Sequence, residues 1–258
     1  MLYNGQTDVG MKRQVNQDNF KTIPIWGGEA TLLVVCDGMG GHKAGDIASK
    51  TAAQAFCNTI FRQSAPTGSD DAIRAEIKML MVSASDAANV AVYKLAQTSE
   101  DYEGMGTTLV AALIYKNSLF AVNIGDSRLY LVTKLTAIQI SHDHSFVQYL
   151  IDSGKLTEEE AKTYPRRNVI TRAIGVAEQA EVDFFTADLT EWDGGYLLLC
   201  SDGLSNYTDG QFLFDTLYGN GPGDDETEEE LTAKVSALIA HANECGGADN
   251  ITAVVARF

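Results

Sequence analysis

Three apolar runs follow one another with almost no chain between them: Thr108–Tyr115, Ser118–Ile124 and Arg128–Thr133. Lys116-Asn117 separates the first pair and Gly125-Asp126-Ser127 the second. Connections this short are expected to make hairpins, because a parallel crossover needs about a dozen residues or more. An antiparallel meander is thus the first element that any fold of this chain must contain. Apolar content and alternation predict further strands at Thr31–Cys36, Ala137–Ile140, Tyr196–Cys200 and Ile251–Arg257.

Helical spacing dominates elsewhere. Ile47, Thr51, Ala55, Phe56 and Ile60 share one helical face, and Ile73, Ile77, Leu80, Ala84, Ala88, Val92 and Leu95 share another. A third helix is predicted from Thr227, which forms a capping-box pattern with Glu230 ahead of the stripe Leu231, Val235, Leu238 and Ala242. Gly246-Gly247 would end it. Two early helices, a run of strands, then a late helix and strand describe an α+β fold better than regular βαβ alternation. No internal repeat and no Pro/Gly/Ser-rich linker divides the 258 residues, so 1–258 is expected to be a single domain. The segment from Asp143 to about Val182 holds only short amphipathic pieces and is expected to be an excursion from the sheet.

Charge narrows the partners. Lys and Arg number 19 against 35 Asp and Glu, leaving a net charge of −16. Such a chain repels a phosphate backbone on average, so nucleic acid is not an expected partner. Met1–Val9 lacks the basic, apolar, small-residue order of a signal peptide, and no apolar run approaches the ~18 residues of a membrane span. Cys36, Cys57, Cys200 and Cys245 are scattered without a C-x-x-C pair. These features predict a cytoplasmic protein with no membrane partner and with buried free thiols, and the chain is expected to be a monomer.

The chemistry sits where strands end. Leu33–Cys36 runs into Asp37-Gly38, Leu197–Cys200 passes through Ser201 into Asp202-Gly203, and Ala121–Ile124 passes through Gly125 into Asp126. Asp249 immediately precedes the last strand. An Asp at the end of a buried strand is held by the core behind it, and a following Gly lets the backbone turn sharply and approach a ligand. Each Asp alone is more often a turn residue. If the fold brings the four together, their repulsion calls for cations between them. Carboxylate, carbonyl and water donors suit Mg2+ or Mn2+. Four histidines without H-E-x-x-H or a His/Cys cluster disfavour zinc.

A rival reading starts from Asp37-Gly38-Met39-Gly40-Gly41, which lies between a strand and a helix as a phosphate loop would. The spacing fails, because Lys43 stands where the third Gly of G-x-G-x-x-G belongs and no G-K-[ST] follows.

Longer blocks surround these acids. In order they are Asp8-Val9-Gly10 with Arg13 and Asn16-Gln17-Asp18, Val35 to His42, Gly106-Thr107-Thr108-Leu109, and Asn123 to Arg128. Asp143-His144-Ser145, Arg167 to Gly175, Cys200 to Leu204, and Ala248 to Thr252 complete the series. Together they resemble the PPM-type (type 2C) metal-dependent serine/threonine protein phosphatases in their compact bacterial form. The resemblance implies a four-layer α-β-β-α sandwich with two central antiparallel sheets, and a flap at about residues 143–182 beside the active site. It implies two tightly bound Mn2+ or Mg2+ ions bridged by Asp37, with the Gly38 carbonyl on one and Asp202 and Asp249 completing the shell of the other. Asp126, with Asp202, matches the acids that hold a third, weaker ion. Asp18 matches an acid that supports the metal site, and Arg13 the arginine that grips phosphate. Gln17 stands where many members carry Glu, and Tyr164 where a His often precedes the flap Pro. The implied substrates are phosphoserine and phosphothreonine in phosphoproteins, opposed by a serine/threonine kinase in signalling.

Such esters hydrolyse extremely slowly without help. The expected nucleophile is a hydroxide bridging the two ions, formed because metal binding lowers the pKa of water. Arg13 would grip two phosphate oxygens through its planar fork. His42 is the candidate acid for the departing serine oxygen, with helix capping as its alternative. His142, His144 and His241 are expected to be structural, and Arg166, Arg167 and Arg172 to form a solvated or salt-bridged face, with a flap contact to acidic substrate as the alternative. A non-catalytic phosphoprotein-binding module is disfavoured by the intact set Asp37, Asp202, Asp249 and Arg13. A hydrolase of small phosphoesters is the other alternative, separated by comparing turnover of a phosphopeptide and of small metabolites.

Overall fold

The computed structural model describes residues 1–41, 44–192, 194–219 and 226–258. Its strands are β1 (Leu2–Asp8), β2 (Asp18–Ile25), β3 (Ala30–Met39), β4 (Gly106–Thr107), β5 (Leu109–Tyr115), β6 (Ser118–Ile124), β7 (Arg128–Val132), β8 (Ala137–Gln139), β9 (Asp183–Asp188), β10 (Tyr196–Cys200) and β11 (Ile251–Arg257). The helices are α1 (Ala44–Phe61), α2 (Asp70–Ala96), α3 (Phe146–Asp152), α4 (Glu158–Ala161), α5 (Asp202–Ser205), α6 (Gly210–Leu217) and α7 (Glu228–Glu244).

Two antiparallel sheets result. One runs β1-β11-β10-β7-β8, the other β2-β3-β5-β6-β9, with β4 pairing to β3. Lys116-Asn117 closes a hairpin between β5 and β6, as the spacing predicts. Gly125-Asp126-Ser127 does not: β6 belongs to one sheet and β7 to the other, so this connection is a corner between sheets. A short connection also suits a chain that switches sheets at the edge of a sandwich. The corner places Asp126 between the two layers rather than at a hairpin tip.

Alternation along the strands builds the layers. Leu33 and Val35 of β3 face Leu197 and Leu199 of β10 and Val254 of β11 between the sheets. Leu32, Val34 and Cys36 point the other way, to α1 and α2. Leu198, Cys200, Ala253 and Val255 face α5, α6 and α7. Period-two alternation on strands buried on both faces thus yields the helix-sheet-sheet-helix order. The fold is the expected α+β four-layer sandwich.

Some details differ from expectation. The buried face of α1 is Ala48, Ala52, Ala53, Phe56, Cys57 and Ile60, while Ile47 and Ala55 only flank the core. Small residues let the helix lie close on the sheet, which a search for large apolar residues overlooks. Cys36, Cys57 and Cys200 are buried, but Cys245 is exposed at the end of α7. The capping box of Thr227 and Glu230 is present as expected.

Candidate metal and phosphate site

One end of the sandwich carries the acids. Asp18 opens β2 and lies opposite Asp37 of β3 in the strand register. β3 continues past Cys36 to Met39, where Gly38 and Met39 pair with Thr107 and Gly106. A Cβ on Gly38 would run into the carbonyls of Gly45 and Gln17, so three stretches of backbone can meet there only around glycine. The Asp37 N–H donates to Thr108 Oγ1 at 2.9 Å, and its carbonyl accepts from the Thr107 hydroxyl and the Thr108 N–H, both at 2.9 Å.

The fold brings the acids together. Asp37, Asp126, Asp202 and Asp249 line one cavity of about 270 Å³ with Arg13, Gln17, Gly38 and Thr108. The flap contributes Asn168 and Ile170 to it. A neighbouring cavity of about 390 Å³ shares Asp126, Asn168 and Asp202 and extends along α3 and α4.

Crowding these carboxylates is costly. Burial first, then repulsion by Asp18 and Asp202, holds the Asp37 carboxyl well above the usual range. Burial and Asp202 push Asp126 up to about 7. Asp202 is raised by burial and by Asp249, although Asn206 Nδ2 donates to its Oδ2 at 3.2 Å. Burial raises Asp18 to about 6, against the hydroxyls of Thr252 and Ser201, which donate to its Oδ2 at 2.6 and 2.7 Å. Its Oδ1 is buried with no hydrogen-bond partner among the described residues. Asp249 instead meets Arg13, whose Nη2 donates to Oδ2 at 2.7 Å, and this bond raises the Arg13 pKa.

Among the described residues, no three His, Cys, Asp or Glu side chains form a ready-made ligand cluster; the acids ring the cavity instead. The donor set still fits a hard divalent cation. It is all oxygen, its acids resist ionising side by side without positive charge, and behind it Asp18, which does not line the cavity, keeps a buried carboxylate oxygen with no partner among the described residues.

The remaining candidates are placed as follows. His42 lies outside the described residues. His142 pairs with Asp152 at 2.8 Å on the surface, and His241 contacts the Tyr207 carbonyl at 3.0 Å. Arg166 stacks on Phe146, Arg167 donates to the Lys162 carbonyl, and Arg172 pairs with Asp183 and Glu181. Residues that the sequence reading missed hold the site from behind. Asn250 accepts from the Gln17 N–H at 2.8 Å and donates to the carbonyls of Val9 and Val15 at 3.0 Å each, clipping the loop that carries Arg13. Its only sequence signal is its place beside Asp249, since its partners lie at the other end of the chain.

Known proteins are similar to this chain in sequence and fold. The profile of the protein phosphatase 2C family covers residues 10–251. The serine/threonine phosphatase stp of Listeria welshimeri is 35% identical over 250 residues, 97% of this chain and 93% of that protein. The solved serine/threonine phosphatase of S. agalactiae superposes with a TM-score of 0.85 at 33% identity, covering 98% of this chain and 97% of the other. The catalytic domain of the serine threonine protein phosphatase PstP, solved with 2 manganese ions, gives 0.78 at 33% identity, covering 98% and 96%. The chain belongs to the protein phosphatase 2C family, and it is an enzyme, a protein phosphatase.

Proposed function

We propose that this phosphatase hydrolyses phosphoserine and phosphothreonine esters in phosphoproteins, with Mn2+ or Mg2+ as cofactor. The supporting observation is that four acids from separate stretches of sequence line one cavity beside Arg13. In this reading Asp37, the Gly38 carbonyl, Asp202 and Asp249 hold two cations tightly. Asp126 with Asp202 holds a third more weakly, and Asp18 braces the site. When bound, the cations supply a water of lowered pKa as the nucleophile and positive charge against the charge developing on the phosphoryl oxygens.

The chain's own residues do the positioning. Asp37 is fixed by strand pairing and by the two threonines at its backbone, so its charge needs no rearrangement during reaction. Arg13 has donors beyond the one given to Asp249, and release of that carboxylate frees its fork for two phosphate oxygens. His42 is assigned from sequence as the proton donor to the leaving oxygen. His42→Gln is then expected to slow a phosphoserine peptide by roughly 10²–10⁴-fold and p-nitrophenyl phosphate far less, since a phenoxide needs little help. Equal losses would point to a disturbed loop instead.

No helix among the described residues is long and apolar enough to cross a membrane. A cytoplasmic monomer working in signalling against a serine/threonine kinase completes the proposal. Stripping the enzyme with EDTA is expected to abolish turnover of a phosphothreonine peptide, and Mn2+ or Mg2+ to restore it. Turnover that survives complete metal removal overturns the reading.

A further inference from the structure

His144 sits at the root of the flap and is buried. Its backbone N–H donates to the Gly125 carbonyl at 2.9 Å, and the Gly125 N–H donates back to its ring Nδ1 at 3.1 Å. The two bonds clamp a single residue, the one before Asp126. A Cβ on Gly125 would strike Thr108, so the corner can lie this close to Thr108 only with glycine there. On its other side the ring reaches the end of the flap, with Nε2 at 3.1 Å from Asp183 Oδ2. The His144 carbonyl accepts from the Thr171 N–H at 2.8 Å.

These contacts fix the ring's protonation. An Nδ1 that accepts from a backbone N–H carries no proton, so the neutral ring carries its proton on Nε2 and donates to Asp183. Arg172 Nη1 lies 3.0 Å from the same Nε2, but both are donors, and Asp183 Oδ1 takes the Arg172 bond at 2.9 Å. A doubly protonated ring would set Nδ1–H against the Gly125 N–H. Burial also lowers the His144 pKa, in keeping with a neutral ring.

We infer that His144 is a positioning residue: as the Nε2–H tautomer it holds the corner that presents Asp126 and ties that corner to both roots of the flap. The inference rests on reading Asp126 as a ligand of the weaker cation. It has two tests on the full-length protein. The first is ¹⁵N-histidine NMR of the metal-free enzyme near neutral pH, which is expected to show a bare Nδ1 and a protonated Nε2 for His144. An Nδ1–H tautomer or a doubly protonated ring overturns the inference.

The second test titrates Mn2+ into the wild type and three variants. His144→Asn keeps an acceptor near the Nδ1 position, His144→Gln reaches toward Asp183 but not Gly125, and His144→Ala does neither. Ala and Gln are expected to weaken the weakest Mn2+ site about tenfold while the tight sites stay within about twofold, and Asn to restore most of the loss. If the Ala variant does not fold, the Asn and Gln pair carries the comparison. Uniform weakening of every site, or equal binding by Asn and Gln, overturns the role of His144. A wild type without a weaker site overturns the Asp126 reading itself and the inference with it.

Discussion

The acids on the cavity floor and the flap on its wall meet around one space but are held by different means. Asp37 stands on β3 and Asp202 just beyond β10, strands whose Leu33, Val35, Leu197 and Leu199 are fully buried between the sheets. Displacing either acid means displacing a packed strand. The helices of the flap have no such backing: α3 has no fully buried residue, and α4 buries only Ala161. The flap is fastened at points instead, by bridges from Ser145 to Ile170 and from Thr107 to Ile174. The Asn89 side chain adds another, binding the Gly175 N–H and the carbonyls of Ala177 and Glu178. A rigid floor suits charge that must be in place before reaction. A thinly packed wall opens at low cost and suits the selection of substrates.

The largest expected effect is on the floor. Asp37→Asn or Asp202→Asn should lower kcat by about 10²–10³-fold or more, with far-UV circular dichroism unchanged. Turnover close to wild type in either variant would erase the contrast between floor and wall. Arg13 comes next, because its half-exposed guanidinium sits at the rim. Arg13→Ala is expected to raise KM about tenfold with a smaller change in kcat, the pattern of a group that grips phosphate before and during reaction. Arg13→Lys should recover only part of the loss, lacking the planar fork. Wild-type constants in the Ala variant would return Arg13 to the ordinary surface.

The same contrast explains what could be read from the sequence. β10 and β11 occupy their predicted bounds because strands covered on both faces are continuously apolar. β1, β2 and β9 escaped notice, and each is an edge strand of its sheet. Edges tolerate polar residues and proline, as Pro24 in β2 shows, so their pattern is weak. In the site, the acids were legible one by one and their convergence only through family resemblance. Asn250 and His144 stand in motif blocks of the sequence but act through partners across the fold, Gln17 and Asp183 among them, which local pattern does not name.

A third prediction uses the strain among the floor acids. Asp18 and Asp126 reach about 6 and about 7 in the folded protein, against about 3.9 in an unfolded chain. Between these values the folded state binds more protons than the unfolded one, so stability falls as pH rises through roughly 4 to 7. Asp37 and Asp202 are shifted in the same direction. The EDTA-treated enzyme should therefore melt at a lower temperature near pH 7.5 than near pH 5, and Asp18→Asn should flatten the difference. A melting temperature that climbs over this range would show that the acids are not strained together.

The smallest effect belongs to the wall. The Arg166 guanidinium lies 4.7 Å from the centroid of the Phe146 ring, and Tyr164 lies against the same ring at 6.2 Å. An exposed cation–π contact contributes about 0.5–1 kcal/mol, so Arg166→Ala should lower the melting temperature by only about 1–4 °C. Asp37 and Arg13 take their partners from Thr108 and Asp249, not from this stack. Turnover of p-nitrophenyl phosphate is therefore expected to stay at the wild-type level, while KM for a phosphopeptide long enough to touch the flap rises modestly. A loss on the small substrate as large as that of Arg13→Ala would mean that the flap shares in the chemistry, and the division between a reacting floor and a selecting wall would fail.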